Sequence, residues 1–291
     1  MKIRQLLIVL LLIFPLMVVA QSKKKKKPKN SQAQGTLYGY WGYNRTTYTK
    51  SNLHFVGEGY DFSLAESKAK DNPSPFSLQY FNPKFLTVPQ FNLRVGYYIK
   101  NHWAISFGYD HMKYIFKDRN QVLLSGTIDP GVDNVTNWSG TFNDSLVITD
   151  RNTFHYENSN GLNFLRVGFE RTDNLFGLKN WFVLSSHVGV STGGLLTFND
   201  FTFAGKKDMV TISLSGYGMA ASAGVRLEFF KHVFIQSNLT GGFNHLLKVK
   251  TRPDDASAYA RQFYGYSMWD TSIGFLLYIR PTNSCKTCPT W

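Results

Sequence analysis

Beyond residue 20 the chain contains no run of roughly 18 apolar residues, so no later segment is suited to cross a bilayer as a helix. Cysteine is nearly missing: Cys285 and Cys288 are the only two, which excludes a disulfide-stapled scaffold and a four-cysteine zinc site. Phosphate-binding glycine loops and zinc-ligand spacings are absent, so no metal and no cofactor is expected. Acid is scarce, with 19 Asp and Glu against 32 Lys and Arg, a net charge of +13. That excess is unevenly placed. Lys2, Arg4, Lys23, Lys24, Lys25, Lys26, Lys27 and Lys29 all precede residue 36, where no acid stands, and the remainder carries an ordinary +5. The basicity is a tail rather than a nucleic-acid-binding face, and no nucleic-acid partner is expected.

The N-terminus carries what the rest lacks. Lys2 and Arg4 precede an apolar stretch from Leu6 to Val19, and small residues end it at Ala20. That order predicts a signal peptide over 1–20, removed on export. An anchoring helix is the alternative, against which the stretch is short and broken by Pro15. Residues 21–35 read as a basic, disordered periplasmic tail. Its lysines suit an anionic envelope polymer or phospholipid headgroups.

From Val88 onward the chain alternates apolar with small or polar residues, seven times over. Trp269, Thr271, Ile273, Phe275, Leu277 and Ile279 share one face of a strand, and Asp270, Ser272, Gly274 and Tyr278 share the other. The same pattern runs through Phe91 to Ile99, Trp103 to Asp110, Leu165 to Glu170, Phe182 to Val190, Ala221 to Phe229 and Val233 to Phe243. An eighth strand covers Thr36 to Thr49, with faces that the alternation leaves unassigned. The apolar faces are unbroken and edged by Trp and Tyr, while the opposite faces hold the charge. A secreted β-sandwich, the soluble alternative, arranges these the other way round. The pattern predicts an all-β fold: a closed antiparallel transmembrane β-barrel over residues 36–280.

Connection lengths orient it. Ile99 to Trp103, Thr172 to Lys179 and Phe230 to Val233 are short, as periplasmic turns are; Ser51 to Thr87, Lys117 to Tyr156, Asn199 to Lys207 and Thr251 to Arg261 are the long external loops. Both termini are then periplasmic, which requires an even strand number. Eight is favoured, and ten follows if a strand lies near Phe76 to Phe85. Asn52 to Leu64 also alternates, but as a wall strand it makes nine. It is therefore placed in the first loop as a β-extension, joined in the second by Gln121 to Ile128 and Ser145 to Thr149. Residues 281–291 form a periplasmic tail whose Cys285 and Cys288 are expected as a disulfide-closed loop. The terminal Trp291, or Tyr278 and Ile279 in its place, supplies an aromatic end to the barrel.

Eight strands enclose a bore filled by their own side chains. Parity puts Arg94, Asp110, Arg166, Glu170, His187, Arg226, Glu228 and Asp270 inside it, where charges must find partners. Arg226 is expected to pair with Glu170 or Glu228 at the periplasmic end. The reading is a non-enzymatic outer-membrane barrel with a plugged lumen, acting through its external loops or as an envelope structural element. A narrow polar path for a small solute or a lipid is the first alternative. The surroundings are outer-membrane lipid and lipopolysaccharide of a Gram-negative bacterium, with an envelope protein as a further partner.

Three residues supply an inventory for nucleophilic catalysis: His155, Glu157 and Ser159 share one strand face, which parity turns toward lipid. The segment Glu157-Asn-Ser-Asn-Gly161 resembles the His-x-Ser-Asn motif of the outer-membrane lipid A deacylase family, itself an eight-stranded barrel. The resemblance implies an acyl-ester hydrolase, with Glu157 standing where the motif has His and Arg171 where it has an acid. Asp144-Ser145-Leu146 resembles the O-glycosylation motif of Bacteroidota. Residues 36–280 as a whole resemble the outer-membrane β-barrel superfamily in its Bacteroidota style.

Overall fold

The computed structural model describes residues 31–74, 89–178 and 181–279, all of it strand, turn or loop. The strands are β1 (Thr36–Tyr48), β2 (Ser51–Gly57), β3 (Tyr60–Ser67), β4 (Ala69–Lys70), β5 (Phe91–Lys100), β6 (Trp103–Phe116), β7 (Gln121–Ile128), β8 (Gly140–Ile148), β9 (His155–Leu178), β10 (Phe182–Phe203), β11 (Lys206–Phe229), β12 (Val233–Lys250) and β13 (Tyr259–Tyr278). Eight of them close a ring in the order β1-β5-β6-β9-β10-β11-β12-β13 and back to β1, each pair antiparallel. The closing seam runs in register from Thr36 opposite Tyr278 to Tyr48 opposite Tyr266, so the ring has no free edge.

Alternation fixes which face is which. Phe107 is 68% exposed and Trp269 60%, whereas Asp110 and Arg226 are fully buried. Such an inside-out distribution is costly in water and favourable in lipid, where the bore is the only polar phase. The tight turns lie at one end. In the β5–β6 turn His102 takes a left-handed backbone (φ 71°), and in the β11–β12 turn Phe230 and Lys231 do the same (φ 52° and 62°).

The strands outrun the membrane. About ten residues suffice for a tilted strand to cross, yet β9, β10 and β11 have 24, 22 and 24. Their upper halves rise outside as a wall. The long loop expected over Asn199 to Lys207 is therefore a tight hairpin, with Ala204 and Gly205 turning between Phe203 and Lys206. Continued burial is the reason: Leu195, Phe201 and Phe203 still face a core.

The opposite wall of that core comes from the first two loops. The segment Asn52 to Leu64 is not one strand but the hairpin β2–β3, turning at Gly59 (φ 71°). Above the ring β2 takes over β1's place beside β13, with Asn52 to Val56 opposite Phe263 to Tyr259. From there β3, β7 and β8 extend the sheet. Phe55 stacks on Phe201 at 5.0 Å and on Phe62 at 5.3 Å; Phe62 meets Phe203 at 5.1 Å, and Phe154 meets Phe116 and Trp138 at 5.5 Å. This buried cluster continues down through Tyr114, Tyr156, Tyr264, Leu162 and Phe164 into the upper bore. The barrel is thus roofed by a two-walled aromatic cap. The ten-strand alternative would need a strand near Phe76 to Phe85, which lies outside the described residues; the ring closes with eight.

Phe154 is 1% exposed at the centre of this cap. Removing a buried Phe side chain costs about 3–5 kcal/mol. Phe154→Ala should make the cap strands cleavable by protease in folded detergent-solubilised protein, while the barrel keeps its heat-modifiable mobility on gels. Unchanged protease resistance would show that the cap core does not hold the loops down.

Candidate functional site

All eight charged residues assigned to the bore by parity lie inside it, arranged in layers. Uppermost is Asp110. Its carboxylate accepts from Arg94 Nη2 at 2.9 Å, with Arg94 Nη1 at 2.7 Å from the other oxygen, and from Asn92 Nδ2 at 2.7 Å. Arg166 Nε stands 3.0 Å away, within charge attraction but not aligned as a hydrogen bond. Gly108 makes this possible: a Cβ there would collide with the guanidinium of Arg94. One acid therefore serves two arginines.

Beneath lies Glu170, which accepts from Ser106 Oγ at 2.6 Å and from Tyr38 OH, with His187 Nε2 at 3.7 Å. His187 Nδ1 contacts Thr172 Oγ1 at 3.2 Å, and Tyr98 OH donates to the same hydroxyl at 3.1 Å. A small polar pocket of about 10 Å³, room for about one water, lies between these two layers, reaching Tyr40, Arg94, Arg166, Glu170, His187 and Asn238.

Arg226 corrects an expectation. Among the described residues it has no carboxylate within ion-pair distance. Its Nε donates to Gln236 at 2.7 Å, its Nη1 to Tyr98 OH at 3.0 Å, and the guanidinium lies 4.2 Å from the Phe234 ring centroid and 5.1 Å from that of Tyr38. The cation is held by ring faces and neutral acceptors. Asp270 is reached from it only in relay, through Gln236 to Asn238 (3.1 Å) and Asn238 to Asp270 (3.0 Å). The reason is depth. Glu170 is taken by its own layer, and Glu228 lies lowest, facing a different partner.

That partner is the chain's own N-terminal segment. Ser31, Gln32 and Ala33 are buried in the periplasmic mouth. Ser31 Oγ donates to Glu228; Gln32 Nε2 donates to Glu228 at 3.0 Å and to Ser185 at 3.1 Å, and the Gln32 carbonyl accepts from His102 N at 2.8 Å. The expectation of a disordered tail over 21–35 therefore fails for its last five residues, which form a peg. Buried Glu228 needs donors, and among the described residues no strand supplies them. Lys23 to Lys29, the signal segment, Cys285, Cys288 and Trp291 lie outside the described residues.

On the face of β9 opposite Tyr156, His155, Glu157 and Ser159 do come together, with His155 and Glu157 buried rather than open to lipid, but in an order unsuited to a relay. His155 Nε2 lies 2.6 Å from Glu157 Oε2, and Ser159 Oγ donates to Glu157 Oε1 at 2.5 Å. The acid sits between the other two, whereas nucleophilic activation needs the imidazole there, accepting the serine proton. Burial raises the Glu157 carboxyl, but His155, Ser159 and Arg151 outweigh it and hold the group below its usual range. It is a fixed anion rather than a proton carrier. Asp144 and Ser145 lie on the edge strand β8, where Asp144 accepts from Ser125 Oγ at 2.9 Å.

Parity puts Asn92, Ser106 and Gln236 on the same polar faces as the charges, without showing which charge each one satisfies. Tyr38 and Tyr98 are not legible in the alternation; only the even-numbered parity of Tyr38 and Tyr40 in β1, and of Tyr98 with Arg94 in β5, marks them as inward. Asp110→Asn tests the upper layer. Leaving two buried arginines uncompensated should cost about 3–5 kcal/mol, read as a lower denaturant midpoint. The loss should shrink in an Arg94→Met background, since members of one network are non-additive. Strictly additive losses would mean that Asp110 and Arg94 are separately hydrated.

Comparison with known proteins assigns no role to the chain. No protein-family model and no curated protein matches the chain, so the resemblance to the lipid A deacylase family rests on its few residues alone. Among solved structures the chain is similar to the outer-membrane protein OprG of Pseudomonas aeruginosa (9% identity, 87% of this chain and 100% of that one, TM-score 0.38). AlkL, determined in DMPC lipid bilayers, matches over 91% of this chain and 99% of its own at 9% identity and TM-score 0.40. Ail, the attachment invasion locus protein of Yersinia pestis, matches over 84% and 99% at 13% identity and TM-score 0.32. All three are barrels, and likeness at this level carries no role. The closed ring and the apolar exterior themselves establish the fold: this chain is an eight-stranded β-barrel of the outer-membrane type.

Proposed function

We propose that this protein is a non-conducting, non-enzymatic barrel of the outer membrane of a Gram-negative bacterium that holds a rigid β-cap at the cell surface. Closure at both ends of the bore carries the reading. The aromatic cap fills the external mouth, the Asp110 layer spans the middle, and the Ser31–Ala33 peg fills the periplasmic mouth. A solute path would have to cross the buried side chains of Phe164, Leu162 and Tyr264. The transport reading is disfavoured on that ground. The hydrolase reading is disfavoured by the position of Glu157 between His155 and Ser159. What the surface offers instead is the cap: four strands, of which β8 ends the sheet among the described residues, with Leu146 and Ile148 exposed.

Planar-bilayer recordings of the full chain should show no steady open channel. Replacing Ser31 and Gln32 with glycine removes the side chains of the peg and should still leave the bilayer silent, because the cap closes the bore independently. Sustained conductance in the wild type would sink the proposal. A channel that opens only in the peg variant would leave the peg as the sole barrier and show that the cap leaks. Lipid A from cells with and without the protein should have the same acyl pattern by mass spectrometry; a chain lost with wild type and retained with Ser159→Ala would assign the hydrolase.

A further inference from the structure

Above the lipid-facing band the outer surface of β12 and β13 changes character within two residues. Phe243, Phe263, His245 and Tyr217 form an outward aromatic group, with ring centroids 5.4 Å apart for Phe243 and Phe263, 5.6 Å for His245 and Phe263, and 5.3 Å for Tyr217 and His245. The next outward residues up β13 are Arg261 and then Tyr259. On β12 a register shift between Leu246 and Val249 turns Leu247 and Lys248 outward together. Arg261 Cζ lies 4.8 Å and Lys248 Nζ 5.4 Å from the centroid of the Tyr259 ring, and Arg261 Nη2 also donates to Tyr259 OH at 2.9 Å.

Two exposed cations are thus gathered on one ring. Among the described residues neither forms an ion pair. Other exposed cations do: Lys50 pairs with Glu66, Arg171 with Asp173 and Arg151 with Glu157. Asp61 is engaged at 2.6 Å by His54, the cross-strand neighbour of Arg261, and Asp255 accepts from Ser257 in the β12–β13 connection. Like charges held together without an acid repel, and an anion shared between them removes that repulsion. A phosphate oxygen pair suits a guanidinium fork, and an ammonium adds a point charge. Directly below, the exposed Phe263 (56%) and Leu247 (49%) offer acyl chains a surface.

We propose that Lys248, Tyr259 and Arg261 bind the phosphorylated headgroup of an anionic lipid in the external leaflet, its chains descending over Phe263 and Phe243. This site lies on the outer wall and is independent of whether the bore conducts. The phosphate could be that of a phosphorylated glycolipid or of an anionic phospholipid, and the two are separable. Native mass spectrometry of the full chain in detergent, titrated with lipid A, phosphatidylglycerol or phosphatidylcholine, is the test. Wild type should retain one or both anionic lipids in preference to phosphatidylcholine. Lys248→Gln with Arg261→Gln should lose that retention by roughly tenfold or more, whereas Lys117→Gln should not. Tighter retention of lipid A names the glycolipid as the source, and equal retention names phospholipid phosphate as sufficient. Arg261→Lys, which keeps the charge, should retain most of the binding. Undiminished binding in the double Gln variant, equal loss in Arg261→Lys and Arg261→Gln, or no preference over phosphatidylcholine would overturn the proposal.

Discussion

A ring of eight strands leaves a bore too narrow for bulk water, so every polar group directed inward must be satisfied by another side chain. The rest of the structure depends on that constraint. Asp110 answers it for two arginines at once, and Gly108 leaves the room in which Arg94 can lie flat against the wall. Arg226 is held differently, between two aromatic rings and neutral oxygens, with no carboxylate among the described residues within ion-pair distance. Glu228 has no strand-borne donor among the described residues and takes its donors from the segment that precedes β1. The peg is the lowest layer of the same packing problem.

The cap follows from strand length. Once β9, β10 and β11 extend beyond the bilayer, their inward faces no longer enclose a narrow bore and must be covered from across the opening. Apolar residues take over there, and the sheet that covers them is continuous with the ring: β13 pairs with β1 below and with β2 above. Each wall supplies what the other lacks. Phe201 and Phe203 come from the β10–β11 hairpin, Phe55 and Phe62 from the β2–β3 hairpin, and Phe154 from the approach to β9. The result joins the external loops to the barrel as one packed body.

Much of this was legible in the residues. Period-two alternation over seven stretches located the wall, loop parity fixed an even strand number, and the charged positions of the bore followed from the same parity. Strand ends were less legible. Beyond the membrane both faces of β10 turn mixed, with Asn199 beside Phe201 on the inner face and Asp200 beside Phe198 on the outer, so a continuing strand reads as a loop. The hairpin within Asn52 to Leu64 is obscured because the even positions His54, Val56, Tyr60, Phe62 and Leu64 read as one face, whereas the buried face changes from odd (Leu53, Phe55) to even (Tyr60, Phe62, Leu64) across Gly59. Pairings across the bore were not legible, since they depend on depth, which tilt and stagger determine and sequence spacing does not record. The peg carried no signal at all: Ser31 and Gln32 are ordinary linker residues until a buried glutamate lies opposite them.

Hydrogen–deuterium exchange of the full chain in lipid nanodiscs tests most directly whether cap and barrel are one closed body. If they are, the amides of β2, β3 and β7 will exchange as slowly as those of β9 and β10 in the membrane, over hours. Exchange of the cap strands within seconds, with the wall still protected, would show an open external mouth and contradict the account.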